Sequence, residues 1–148
     1  MSMGNTLETE LLDHILNNAN VALIGDATGL RGSSTAGSLY LALHTADPGE
    51  AGDQTTSEIA YTSYARVAQA RATAWTISSP GGVGTATLAA NTDFPAGTGG
   101  SGTATHFSVG TDSSGAGKIL FKGAITPNIV CGNGVTPRLT TGTTITLD

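Results

Sequence analysis

The chain has 148 residues, of which only 11% are charged, 39% hydrophobic and 5% aromatic, with 21 glycines and a formal net charge of −5. That length suits one ordinary domain, and the charge content is less than half the roughly 25% of an average soluble domain. Six Lys+Arg are too few for a phosphate-neutralising footprint, no apolar run reaches the ~20 residues of a membrane-spanning helix, and Cys131 has no internal disulfide partner.

The first ten residues carry no basic residue and do not read as a signal peptide. The first predicted element is a helix over residues 6–16. Leu7, Leu11 and Ile15 recur at helical spacing, with Leu12 and Leu16 beside them, and form one apolar stripe. Thr6 is placed to cap the first turn, and Glu8 and Glu10 suit the positive end of the helix dipole. Asn17-Asn18-Ala19-Asn20 ends the helix. A helix this short is marginal alone, so Leu7, Leu11 and Ile15 are the candidate partner contacts, to be covered by a partner or by the rest of the chain. Residues 1–20 are read as an N-terminal helical segment and 21–148 as the β-domain.

From Val21 the apolar period changes to two. A strand is predicted over Ser38–His44, closed by the turn Asp47-Pro48-Gly49. Strands follow over 64–69, 73–77 and 85–88, with Ser79-Pro80-Gly81-Gly82 as a turn. The best hairpin joins 103–109 to 118–124 through the turn-rich stretch 112–117. Closing strands are predicted at 129–130 and 143–147, and Pro127 and Pro137 fit edges or turns but not strand centres. With no crossover helix after Asn20, the class is mainly β: an antiparallel β-sandwich or jelly roll with one N-terminal α-helix.

No residue constellation reads as a chemical site. The glycine-rich stretch before Lys118 has Asp112 where a P-loop needs its first Gly and Ile119 where it needs Ser or Thr. His14, His44 and His106 lack metal-ligand spacing and read as structural residues. Asp47, Glu50 and Asp53 lack the EF-hand pattern and read as a solvated loop. Gly32-Ser33-Ser34-Thr35-Ala36 lacks the second Gly of a nucleophile elbow, and Cys131 reads as a small core residue. The expectation is no catalytic residue, no metal, no cofactor and no enzymatic activity. A charge-poor, Thr/Gly-rich surface instead suits a domain packed into an assembly.

Two sets of residues carry a family resemblance. Leu39-Tyr40-Leu41-Ala42-Leu43-His44-Thr45-Ala46-Asp47-Pro48-Gly49 is followed by a Thr/Ser-Glu stretch and Tyr64-Ala65-Arg66-Val67. Later, Ala104-Thr105-His106-Phe107-Ser108-Val109-Gly110 leads through a glycine-rich turn to Ile119-Leu120-Phe121-Lys122-Gly123-Ala124. In this order the segments resemble a group of small tailed-phage virion proteins, described as tail-fibre-like or head-decoration proteins. The resemblance implies a structural virion protein made in the host cytoplasm. Its first expectation is a capsid decoration (cement) protein on the outer capsid surface. Such a protein would bridge major capsid subunits and associate with itself, without nucleic-acid or membrane partners. The alternatives are a tail or tail-fibre component, or a carbohydrate-binding β-sandwich, which would need Trp75 on an open face beside Tyr61 or Tyr64.

Overall fold

The computed structural model describes residues 3–147. It contains helix α1 (Asn5–Asn17) followed by nine strands among the described residues. These are β1 (Ser38–His44), β2 (Val67–Ala70), β3 (Trp75–Ser78), β4 (Gly84–Leu88), β5 (Thr92–Asp93), β6 (Ser101–Gly110), β7 (Ile119–Gly132), β8 (Arg138–Leu139) and β9 (Thr144–Leu147). Strand exceeds helix, 41% to 11%, and the expected class holds: mainly β, antiparallel sheets, one N-terminal helix. The strands form a β2-β1-β6-β7 sheet, a β3-β4-β9 sheet and a β5-β8 pair. The residues divide into two compact units, each drawn from separated stretches of sequence.

The first unit comprises residues 1–38, 70–91 and 140–148. Its sheet places Trp75 opposite Leu88 and aligns Ile77, Ala86 and Ile145 across three strands. Trp75, Ala86, Leu88 and Ile145 are buried, as period-two alternation requires for one covered face. The cover is α1, which packs on β3, β4 and β9. Its buried seam is Glu8, Leu12 and Leu16. Glu8 Oε2 accepts the Gly84 N–H at 2.8 Å, so a carboxylate of the first turn ties the helix to β4. A Cβ at Gly84 would press on Glu8 Cβ at 2.6 Å, so only glycine permits this approach.

The helix ends are also fixed. Gly4, not Thr6, is the N-cap. Thr6 lies within the first turn, where its carbonyl accepts the Thr9 hydroxyl at 2.9 Å. Asn18 adopts the left-handed C-cap conformation, φ 62°, which asparagine tolerates better than most residues. Its side chain pairs reciprocally with Ser33, at 2.7 and 2.8 Å. The Arg71 guanidinium donates to the carbonyls of His14 and Ile15, both at 2.7 Å. A cation thereby satisfies two of the carbonyls that a helix end leaves open.

The second unit comprises residues 39–69 and 92–139. β1 and β6 pair so that Leu41 faces Val109 and Leu43 faces Phe107. Leu41, Ala42, Leu43 and His44 are all buried, which explains why β1 is a continuous apolar run and not an alternating one. β7 continues through the stretch expected to separate two strands. His106 pairs with Ala124 but Ala104 pairs with Ile129, so Thr105 alone faces the excursion from Ile125 to Asn128. Pro127 lies in that excursion, on a strand at the end of its sheet, where a missing N–H is tolerated.

A polar network fixes the loops of this unit. The Arg66 side chain is 2% exposed. It forks onto Glu58, Nε to Oε1 at 2.7 Å and Nη2 to Oε2 at 2.8 Å. It also donates to the carbonyls of Asp112 at 3.0 Å and Gly115 at 2.8 Å in the β6–β7 turn. The Tyr64 hydroxyl donates to Glu58 Oε1 and accepts the Leu43 N–H, both at 3.0 Å. Beside it, fully buried Gln54 accepts the Asp112 N–H and donates its backbone N–H to Gly117, at 3.0 and 2.9 Å. A Cβ at Gly110 or Gly117 would collide with the Gln54 amide.

Two stability outcomes follow from this packing. Arg66→Ala strands a largely buried Glu58 carboxylate and lowers unfolding free energy by about 3–5 kcal/mol, with Arg66→Lys recovering only part of it. Gly110→Ala forces Gln54 from its seat and costs about 1–3 kcal/mol by overpacking. Urea denaturation of purified variants measures both, and wild-type midpoints would contradict them.

Candidate functional site

The three candidate partner contacts stand together on one side of α1. Leu7, Leu11 and Ile15 are each half-buried, while Leu12 and Leu16 are 0% exposed. The helix therefore carries two adjacent apolar stripes, and the chain itself fully covers only the second. The sequence pattern conceals this order because the inner stripe begins with a carboxylate, Glu8.

Sequence periodicity missed other open apolar surface. In the loop after α1, Leu23 is 80% exposed, Ile24 41% and Leu30 40%. Leu23 is held at φ +64°, a conformation uncommon for a residue with a branched side chain. The loop is shaped by the Val21–Leu30 bridge and by Asp26, which accepts from Thr28 and Gly29. On β7, Val130 is exposed, and Val135 follows beyond the strand.

The reactive side chains are occupied elsewhere. His44 Nε2 lies 2.8 Å from Ser108 Oγ, and its Nδ1 lies 2.9 Å from the Thr56 carbonyl. That is the spacing of a nucleophile and its base, but both residues are 0% exposed and no substrate atom reaches them. Asp47 and Glu50 hold Lys122 Nζ at 3.0 and 3.1 Å. Asp53 closes its own turn through Thr55. The 112–117 stretch is the β6–β7 turn, with Thr111 N–H donating to the Lys118 carbonyl at 3.1 Å. His14 Nδ1 donates to the Ala19 carbonyl, and His106 Nδ1 pairs with the Thr105 hydroxyl. Cys131 is buried, and burial pushes its thiol pKa up, which makes it a poor nucleophile.

No group of three His, Cys, Asp or Glu side chains among the described residues is placed to hold a metal ion. No helix among them is long and apolar enough to cross a membrane. Trp75, Tyr61, Phe94 and Phe107 are buried. Trp75 is 4% exposed and Tyr61 2%. Tyr61 meets Tyr64 edge-on at 5.4 Å, and Tyr64 stacks on Phe94 at 6.2 Å. Burial pushes the Tyr61 hydroxyl up to about 12 and raises that of Tyr64 as well. Trp75 thus offers no open platform for a sugar ring. A shallow groove of about 310 Å³ is lined by Gly49, Glu50, Gly52 and the start of β7. The distinctive surface is apolar and open, not reactive.

A family model described as "Podophage GP4 fiber I protein gp80" matches residues 2–146. The chain belongs to this family. The gp80-family assignment makes it a tailed-phage virion protein, in agreement with the resemblance carried by its strands. It covers α1 and all but the last residue of β9 as well, which lay outside the segments that carried that resemblance. No curated protein matches the gp80-family chain.

The buried histidine gives this gp80-family chain a pH dependence. Burial lowers the His44 pKa below its usual 6.5, partly opposed by the Thr56 carbonyl. The folded state therefore holds the neutral ring while the unfolded chain takes a proton, so stability falls as pH drops below about 6.5. Asp47 and Asp53, lowered from 3.8 by hydrogen bonds to Gly49 and Thr55, lose their contribution only at more acid pH. A thermal midpoint that is level above pH 7 and declines between pH 6.5 and 4.5 is expected. His44→Gln should flatten that decline; an unchanged slope in the variant would contradict the assignment.

Proposed function

We propose that the chain is a tail-fibre component of a podophage virion and that it works through protein contacts without transforming a substrate. The observation that carries this reading is the family match across residues 2–146, whose description names a fibre protein. Two structural features support it. The Ser108–His44 pair is sealed, whereas α1 leaves apolar side chains half-covered and the 22–30 loop and β7 leave some exposed.

In this reading Leu7, Leu11 and Ile15 dock against a neighbouring virion protein. Completing the burial of each half-covered side chain would contribute about 1 kcal/mol, enough in sum to position a subunit already held in an assembly. The scarcity of charge keeps the desolvation penalty of such contacts small. The chain also associates with copies of itself. A cement protein on the capsid surface would use the same contacts with the major capsid protein, and the two readings differ in stoichiometry. A decoration protein binds the shell and stabilises it by mass action at every lattice position. A fibre subunit is needed only where fibres attach.

Quantitative mass spectrometry and immunogold labelling of intact particles test this. The expected result is a copy number far below that of the major capsid protein, with label confined to the tail region. Label spread over the head at capsid-lattice stoichiometry would overturn the fibre reading in favour of decoration.

A further inference from the structure

We infer that the outer edge of β7 joins copies of this chain, two β7 strands pairing antiparallel across a two-fold axis. The inference deepens the fibre reading, on which it rests for its place of use, by naming the surface and the partner.

β7 spans Ile119–Gly132 and is the end strand of the β2-β1-β6-β7 sheet. Its ladder is with β6 alone. Among the described residues, no backbone hydrogen bond links residues 119–131 to any segment outside that ladder. The outward-pointing half of its N–H and C=O groups is therefore open, the condition that natural proteins ordinarily guard against. Cys131 is the only buried residue of the strand. Ile119, Leu120, Phe121, Ile125 and Ile129 are half-buried, and Val130 is 69% exposed.

The customary guards are weak here. Residues 123–134 contain no charged side chain. Lys122, the one lysine within the strand, is neutralised by Asp47 and Glu50. Pro127 removes one donor but leaves the flanking stretches free. A second copy is the occupant that fits. An antiparallel ladder is symmetric about a two-fold axis, so any strand edge is complementary to its own copy. An uncharged edge meets its copy without like-charge repulsion. The opposite edge of the sheet, β2, has only four residues, so pairing β7 with β2 of another copy would form fewer bonds than β7 with β7.

Sedimentation velocity of the full chain tests the inference. Wild type should dimerise. Val130→Lys combined with Ala124→Lys, both at exposed positions, should weaken dimerisation at least about tenfold, with an unchanged circular dichroism spectrum. In a Cys131→Ser background, single cysteines introduced at Ala124, Thr126, Asn128 and Val130 should cross-link two chains at the position nearest the axis. A monomeric wild type, or a dimer indifferent to both lysines and without cross-links, would overturn the inference. Either result leaves the fibre reading standing, because that reading depends on particle stoichiometry.

Discussion

One guanidinium holds the second unit together. Arg66 precedes β2, Glu58 lies in the long connection after β1, and Asp112 and Gly115 belong to the β6–β7 turn. A single planar group thus joins three stretches remote in sequence, through charge-assisted bonds worth about 1.5–3 kcal/mol each. Lysine could not reproduce that fork. The arrangement also determines its neighbours. With the turn held to Arg66, Gln54 fills the remaining space, and Gly110 and Gly117 must lack side chains. The loop read from sequence as polar and solvated sends Gln54 into the interior, where it is packed and hydrogen-bonded.

This hub was largely illegible in the sequence. Glu58 and Arg66 stand eight positions apart in a stretch without periodicity, and their partners on the β6–β7 turn are backbone carbonyls, which leave no residue signature. What sequence did show was whatever depends on local spacing. The apolar run Ser38–His44 is β1, the 103–109 alternation lies within β6, and Asn17-Asn18 ends α1. Errors came where tertiary contact overrides local preference. Strands expected separately at 118–124 and 129–130 are one strand, β7, whose edge position accommodates Pro127 as expected of an edge. Glu8 stands in the first turn as the dipole argument expected, but its burial against Gly84 was not legible. The candidate contacts Leu7, Leu11 and Ile15 were legible as a stripe, but their incomplete covering was not.

The chemistry-bearing residues show the same economy of role. His44 and Ser108 resemble a reactive pair only when distance is considered without access. Their closure makes them a structural crosslink between β1 and β6, and His44 gives that crosslink its sensitivity to acid. Asp47, Glu50 and Lys122 likewise balance one another at the surface. What remains unsatisfied is mostly apolar side chain and strand backbone. Those are the groups through which assemblies form, and they accord with membership of a fibre-protein family.

The interleaving of the two units has a consequence for synthesis. β9, Thr144–Leu147, completes the sheet on which α1 packs, although α1 is translated first. During translation the inner leucines therefore wait for a strand more than 120 residues downstream, β9, while the second unit has all its segments once Leu139 has emerged. Ribosome-bound chains would close the unit of residues 39–69 and 92–139 before the unit that contains α1.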